Sequence, residues 1–170
     1  MTALKALLAT MPQVGAVRWI GVRPARREPL VSVDACDAAV GQGLVGDRFR
    51  GGASSPRQVT LLQAEHLDVV AALVGRKGLM PDVLRRNLLV SGINLLGLVG
   101  AEFSVGAVTM LGTGRCHPCS RMEEVLGPGG YNAMRGHGGI TAAVLVGGRI
   151  ALADPVRLVK PGSLGAEERR

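Results

Sequence analysis

Short apolar runs separated by glycine-rich turns constrain the fold of this chain more than any other feature. Residues 14–22, 57–62 and 140–146 are the clearest of these runs, and the last one ends at a Gly-Gly hairpin signal. Many short strands at even spacing, combined with 25 glycines in 170 residues, are typical of a barrel. We therefore predict a mainly β (α+β) fold, a closed or nearly closed β-barrel of short strands with a few short helices.

Two helical patterns interrupt the predicted strands. Residues 65–74 carry one apolar face, and Gly75 can end that helix. Ser120 and Glu123 have the spacing of a capping box, in which each side chain satisfies a backbone N–H at the helix start. This spacing predicts a short helix over residues 121–126 with Ser120 as its N-cap.

The length and the cysteine content indicate one domain in a reducing compartment. A chain of this size buries roughly two-thirds of its unfolded surface and needs no disulfide. Three cysteines, an odd number, do not suit a secreted disulfide framework. We predict a single domain over residues 14–159, an N-terminal extension over 1–13, a disordered tail over 160–170 and a cytoplasmic location. The weakly charged run 88–112 contains polar residues and glycines, so it predicts strands and turns without a membrane span.

The net charge is +7, and arginine supplies nearly all of the positive side chains. The planar guanidinium group binds phosphate or carboxylate through two parallel hydrogen bonds, so the excess predicts an arginine-lined pocket for an anion. Codon usage is the alternative explanation. A basic chain can also bind nucleic acid, but few aromatic side chains are present and the arginines form no dense run. We expect no nucleic-acid partner, and a nucleic-acid-binding barrel is only a third hypothesis.

Cys119 is the candidate reactive residue. With Ser120 as N-cap, Cys119 would immediately precede a helix, where free N–H groups and the helix dipole favour a negative charge. Arg115 and Arg121 flank it. We therefore predict that Cys119 is a reactive or metal-ligating thiolate. A buried structural cysteine is the alternative.

The CxxC spacing of Cys116 and Cys119 also permits other chemistry. A structural zinc site needs a second pair of ligands, and the remaining candidates are Cys36, His66, His117 and His137. A thioredoxin-like dithiol places its first cysteine at the helix start, whereas here the second one is there. A c-type haem site would need His where Ser120 stands. Zinc binding and dithiol redox chemistry stay open as less favoured alternatives.

Five motifs follow one another along the chain. They are GDRF at 46–49, RQVTLL at 57–62, LRRNLLVSGINLLGL at 84–98, HPC at 117–119 and GITAAVLVGGRIALADPV at 139–156. Together they resemble the MOSC domain family, which includes the C-terminal domains of molybdenum cofactor sulfurases, the mitochondrial amidoxime reducing component and small bacterial proteins. The resemblance extends from about residue 14 to about residue 159.

The resemblance implies a β-barrel that binds a molybdenum-pterin cofactor. Cys119 matches the cysteine that is proposed in this family to ligate molybdenum or to carry a persulfide, so it would be both the catalytic residue and the metal ligand. The residues expected to bind the cofactor are Asp47, Arg48, Arg57, Arg86, Asn87 and Arg135. Phe49 stands where many members have His, and Ala153 with Asp154 replaces a common Gly-Asp. No proton-transfer role is therefore carried over to position 49.

Two functions follow from the resemblance. The first is the reduction of N-hydroxylated (N–O) compounds. The substrate would be a small molecule, and a separate reductase would supply the electrons. The second is a sulfur carrier that holds a persulfide supplied by a cysteine desulfurase, or a module that delivers the cofactor. We expect no pyridoxal phosphate, because the sequence has only three lysines for a Schiff base and lacks the sulfurases' N-terminal domain. We also expect no membrane partner.

Overall fold

The structure, a computed structural model, describes residues 3–163. Within this range, strands outnumber helices, which confirms the mainly β prediction. In chain order the elements are α1 (Ala3–Ala9), β1 (Gly15–Val22), β2 (Val31–Ser32), β3 (Ala35–Ala39), β4 (Gly43–Leu44), β5 (Val59–Gln63), α2 (Glu65–Leu73), a first 3-10 helix (Pro81–Leu84), β6 (Leu88–Ser91), a second 3-10 helix (Leu95–Leu98), β7 (Glu102–Val105), β8 (Val108–Arg115), α3 (Ser120–Leu126), α4 (Gly130–Met134), β9 (Ile140–Val146), β10 (Gly148–Ala151) and β11 (Pro155–Lys160).

Seven strands close into a barrel. They follow the order β1, β11, β7, β8, β9, β5, β6, and β6 pairs with β1 again. The short β2 pairs with β1, and β10, β3 and β4 form a separate three-stranded sheet. Closure pairs the hydrogen-bonding groups that an open sheet would leave at its edges. The predicted closed barrel is confirmed.

The barrel contains one parallel pair, β5 with β6, in which Leu61 lies opposite Leu88. Parallel strands cannot be joined by a hairpin, so α2 and the first 3-10 helix form the crossover between them. Pro81 begins this 3-10 helix, and Arg85 follows it in the left-handed conformation, with φ of 60°. The crossover therefore turns sharply at Arg85, just before β6.

Strands β5 and β6 are buried on both faces because the barrel has one core inside and another outside. Leu61 and Leu88 belong to the inner cluster, together with Ile20, Phe103 and Met110. Leu62 and Leu89 belong to the outer cluster, which packs the helices against the barrel through Val70, Leu84, Met122, Leu126 and Met134. Continuous apolar runs in these two strands are the expected result. The outer cluster also positions α3, which begins next to Cys119.

Both predicted chain ends contain some regular structure. Residues 3–9 of the predicted N-terminal extension form α1, which buries no side chain. Lys160, assigned to the predicted tail, still belongs to β11. The rest of the predicted disorder concerns mainly residues 164–170, which lie outside the described residues. No helix within residues 3–163 has the length and apolar character required to cross a bilayer.

Gly112 in β8 allows the strand to approach the second 3-10 helix closely. A Cβ at this position would overlap the carbonyl oxygen of Leu98 and lie 3.2 Å from the Cα of Val99. We expect Gly112→Ala to lower the free energy of unfolding by about 1–3 kcal/mol, measured by urea denaturation. Gly114→Ala in the same strand is the control, because its Cβ would meet only Thr141 Oγ1, at 3.8 Å. Equal stabilities of the two variants would contradict this explanation.

Candidate functional site

An arginine-lined cavity of about 200 Å³ opens beside the starts of β5 and β6. Its lining residues are Arg23, Asp47, Arg48, Phe49, Arg57, Gln58, Thr60, Arg85 and Asn87. Four guanidinium groups face one carboxylate, so the cavity favours an anionic ligand. The structure thus brings together four of the six residues predicted to bind the cofactor.

Asp47 holds the loop after β4 against the end of β1. Its Oδ1 accepts a hydrogen bond from the backbone N–H of Arg23 at 2.7 Å, and the N–H of Arg48 donates to the Arg23 carbonyl at 2.7 Å. Burial lowers the pKa of Arg23, Asp47 partly offsets this, and the positive charge of Arg48 lowers the pKa further. Asp47 therefore places Arg23 and Arg48 in the cavity wall and offsets part of their repulsion.

Arg86 is buried, with 7% of its surface exposed, and it is not among the residues that line the cavity. Its Nε donates to the Gly138 carbonyl at 2.9 Å, and its Nη1 donates to the Leu84 carbonyl at 2.8 Å. Arg86 Nη2 and Arg23 Nε are buried and have no hydrogen-bond partner among the described residues. Buried donors without partners are rare in folded proteins. Arg23 also lines the cavity, so its Nε could donate to an anion bound there.

Cys119 is exposed and interacts electrostatically with Arg85. Burial lowers the pKa of Arg85, nearby Arg23 and Arg121 lower it further, and Cys119 acts in the opposite direction. Arg85 thus links the thiol to the cavity, because it lines the cavity and interacts electrostatically with Cys119. An accessible thiol in a positive environment can act as a nucleophile or as a metal ligand.

The predicted capping box is wrong. Helix α3 begins at Ser120, so Cys119 is itself the N-cap, with extended backbone angles and no side-chain capping bond. Glu123 instead caps the next helix: its two carboxylate oxygens accept from the N–H groups of Gly129 and Tyr131 at 2.7 and 2.8 Å. The N-terminal N–H groups of α4 therefore compete successfully for the carboxylate.

Cys116 differs from Cys119 because it is buried, with 3% of its surface exposed. Its N–H donates to the Gly139 carbonyl at 2.8 Å, and a Cβ on Gly138 would overlap the Cys116 carbonyl oxygen. Arg57 Nη2 lies 3.9 Å from the Cys116 sulfur. Arg57 therefore connects the cavity wall to the buried thiol.

The remaining candidates lie elsewhere. Arg135 is exposed, does not line the cavity, and has Asn132 Oδ1 at 3.5 Å from its Nη1. Its predicted cofactor contact stays a prediction.

The histidines that were candidates for a zinc site also lie elsewhere. His66 and His137 pack edge to face with ring centroids 4.8 Å apart. No three His, Cys, Asp or Glu residues within positions 3–163 are grouped so that they could hold a metal ion, so zinc gains no support.

Sequence reasoning did not place Arg23 and Arg85 among the cofactor-binding residues, although both line the cavity. Arg85 stands in the LRRN motif beside a residue that was identified, so the motif itself was a usable signal. Arg23 offered no such signal, because its partner Asp47 is 24 residues away and their contact depends on the fold.

Cys36, the third cysteine, is structural: burial raises the pKa of its thiol to about 11.

Asn87 joins three parts of the barrel through its side chain. Its Oδ1 accepts from the N–H and hydroxyl of Thr60 at 3.1 and 3.0 Å, and its Nδ2 donates to the Gly21 carbonyl at 3.1 Å. We expect Asn87→Ala to cost about 1–3 kcal/mol of unfolding free energy in ligand-free protein, because buried polar groups lose their partners. Chemical denaturation measures the unfolding free energy. Asn132→Ala is the control, because Asn132 is exposed and its replacement should cost about 0.5 kcal/mol or less. Equal losses would show that the Asn87 bonds are not important for stability.

Glu123 makes stability depend on pH. Hydrogen bonds from the N–H groups of Tyr131 and Gly129 lower the pKa of its carboxyl group. The stabilisation is therefore present above the unfolded-state pKa and is lost as pH falls through the folded-state pKa. We expect Glu123→Gln to lower the thermal midpoint at neutral pH, and the difference from wild type to disappear in acid. Glu124→Gln, which removes a neighbouring exposed carboxylate, should show no such pattern.

Comparison with solved structures finds the same fold in three bacterial proteins. YuaD from Bacillus subtilis is 18% identical, with a TM-score of 0.75, and the match covers 88% of this chain and 98% of that one. YiiM from Geobacillus stearothermophilus is 19% identical, with a TM-score of 0.73 over 90% and 78% of the two chains. YiiM from Escherichia coli is 18% identical, with a TM-score of 0.67 over 87% and 71%. At these identities the likeness shows the fold alone.

Comparisons of sequence settle the family. No curated protein matches this chain. The model of the MOSC domain matches residues 45–157. This range includes the GDRF motif at 46–49, the LRRN segment at 84–87 and both cysteines of the CxxC motif. This match covers more than half of the sequence. The chain therefore belongs to the MOSC domain family.

Proposed function

We propose that this protein binds a molybdenum-pterin cofactor through Cys119 and reduces N-hydroxylated (N–O) compounds. The observation that carries the proposal is the exposed Cys119 thiol, which interacts electrostatically with Arg85 in the wall of the arginine-lined cavity. A thiolate is a suitable ligand for a thiophilic metal, and a pterin phosphate suits guanidinium groups. When bound, the cofactor supplies the two-electron chemistry that protein side chains lack.

The residues present fit such a group. Arg23 lines the cavity and its Nε has no partner among the described residues, so an anionic group there could accept its hydrogen bond. Arg86 is held by two backbone carbonyls and does not line the cavity, so it would act on the group through its charge. Arg48, Arg57 and Arg85 would add positive charge from the cavity wall. Asp47 would keep this cluster in place by holding Arg23.

The proposed reaction needs partners of defined chemistry. Reduction of an N–OH compound consumes two electrons and two protons, breaks the N–O bond and releases water. No side chain of the site stores two electrons, so a separate reductase would supply them. The substrate would be a small molecule, because the arginine-lined cavity and the cavity that adjoins it have volumes of about 200 and 380 Å³.

Metal analysis of cysteine variants tests the proposal. Wild-type protein made in a molybdenum-replete host is expected to contain molybdenum and pterin in about equal amounts. Cys119→Ser should lose at least tenfold in molybdenum content, since even changes to outer-shell partners cost about 10–100-fold in metal affinity. Cys36→Ala is the matched control, because that thiol lies in the barrel core. Metal-free wild-type protein that retains full N–O reductase activity would refute the proposal.

A sulfur carrier is the second candidate, and the exposure of Cys119 favours it. A desulfurase can reach an exposed thiol, and the surrounding arginines would stabilise a persulfide anion. Mass spectrometry of the same preparations, after incubation with a cysteine desulfurase, distinguishes this candidate. A gain of one sulfur atom that reductant removes, and that Cys119→Ser lacks, would support it. No mass shift in wild type would exclude it.

A further inference from the structure

A second cavity of about 380 Å³ adjoins the arginine-lined one. Asp47 and Phe49 line both cavities, so the two share a wall at these residues. Cavities that bind small molecules have volumes of roughly 300–1,000 Å³, and the second cavity lies within this range. In the proposed function the cofactor would occupy the arginine-lined cavity, so the second cavity is the space left for a substrate.

The second cavity has a different character from the first. Val45 and Phe49 contribute apolar side chains, Gln42 and Asp47 contribute polar ones, and four lining glycines of residues 41–46 and 51–52 expose only backbone. Arg50 is the one guanidinium group among its lining residues, compared with four in the arginine-lined cavity. The second cavity therefore has less positive charge than the first and suits an uncharged ligand better.

Phe49 provides a flat apolar surface at the shared wall. Its side chain is half-buried, whereas Phe103 is fully buried inside the barrel. Gly51 allows the ring to lie close to the loop backbone: a Cβ there would lie 2.7 Å from Phe49 Cε2 and 2.8 Å from Cζ. The ring is thus supported from one side and still contacts both cavities.

We propose that Phe49 determines specificity by stacking on a planar aromatic part of the substrate in the second cavity. The inference rests on the proposed function, because it takes an N–O compound as the substrate. The aromatic part would contact Phe49, and the N–O group would lie at the shared wall, on the side of the arginines. Phenylalanine cannot transfer a proton, so position 49 acts in this chain through packing.

Binding of two hydroxamates to the cofactor-free full chain tests the inference. Benzhydroxamate and acetohydroxamate carry the same N–O group and differ in an aromatic ring, and ligand-observed NMR titration gives both dissociation constants. We expect Phe49→Leu to weaken benzhydroxamate about fivefold, which corresponds to about 1 kcal/mol of aromatic stacking, and to leave acetohydroxamate unchanged. Phe49→Tyr, which keeps the ring, should retain the aromatic preference. The same preference in wild type and Phe49→Leu, or none in wild type, would overturn the inference.

Turnover by the cofactor-loaded protein separates this inference from the proposed function. Phe49→Leu is expected to raise KM for benzhydroxamate about fivefold and to change kcat by less than about twofold, because uniform binding is lost. Reduction of both hydroxamates without an aromatic preference would overturn the role of Phe49 and leave the proposed function standing. An intact aromatic preference in binding without any N–O reduction would overturn the proposed function and support the role of Phe49 as a stacking residue.

Discussion

The site depends on the hydrogen bonds that Asn87 makes between β1 and β5. Its backbone carbonyl accepts from the Gly21 N–H at 2.7 Å, its N–H donates to the Thr60 carbonyl at 3.0 Å, and its side chain contacts the same two residues. These bonds fix the residues on either side. Arg85 and Arg86 directly precede Asn87, and Arg23 follows Gly21 by two positions. A single polar side chain inside the barrel wall thereby brings arginines from distant parts of the chain together.

This arrangement has an electrostatic cost. Burial and positive neighbours lower the pKa of both Arg23 and Arg85, so their charged forms are destabilised. Asp47 and Cys119 offset only part of this repulsion. A bound anion would remove more of it and would supply acceptors for the unpaired guanidinium nitrogens. The cluster is therefore better explained by ligand binding than by stability, because a protein gains little from burying like charges without a partner.

The sequence predicted the barrel because each strand leaves a local pattern. Strands β1, β5 and β9 were identified from apolar runs between turns, and α2 from its period. The arginine cluster could not be predicted in full, since Arg23 joins it only through pairing between strands. The capping box failed for a related reason: Glu123 had two sets of N–H groups within reach, and spacing does not show which one it prefers. Motif resemblance selected Asn87, whose side-chain bonds are internal, and could not separate a structural role from a ligand contact.

The fold also gives the two cysteines of the CxxC motif different roles. A dithiol reaction requires the two sulfur atoms to meet, so it depends on the position of the buried Cys116. That position is fixed by the hydrogen bond to Gly139 and by the close approach of Gly138 to the Cys116 carbonyl. Burial also denies an attacking thiol or disulfide access to Cys116. Cys119 has neither constraint, because it is exposed and its side chain makes no capping bond. The geometry therefore favours chemistry at one sulfur, as in metal ligation or persulfide transfer, over chemistry at a pair.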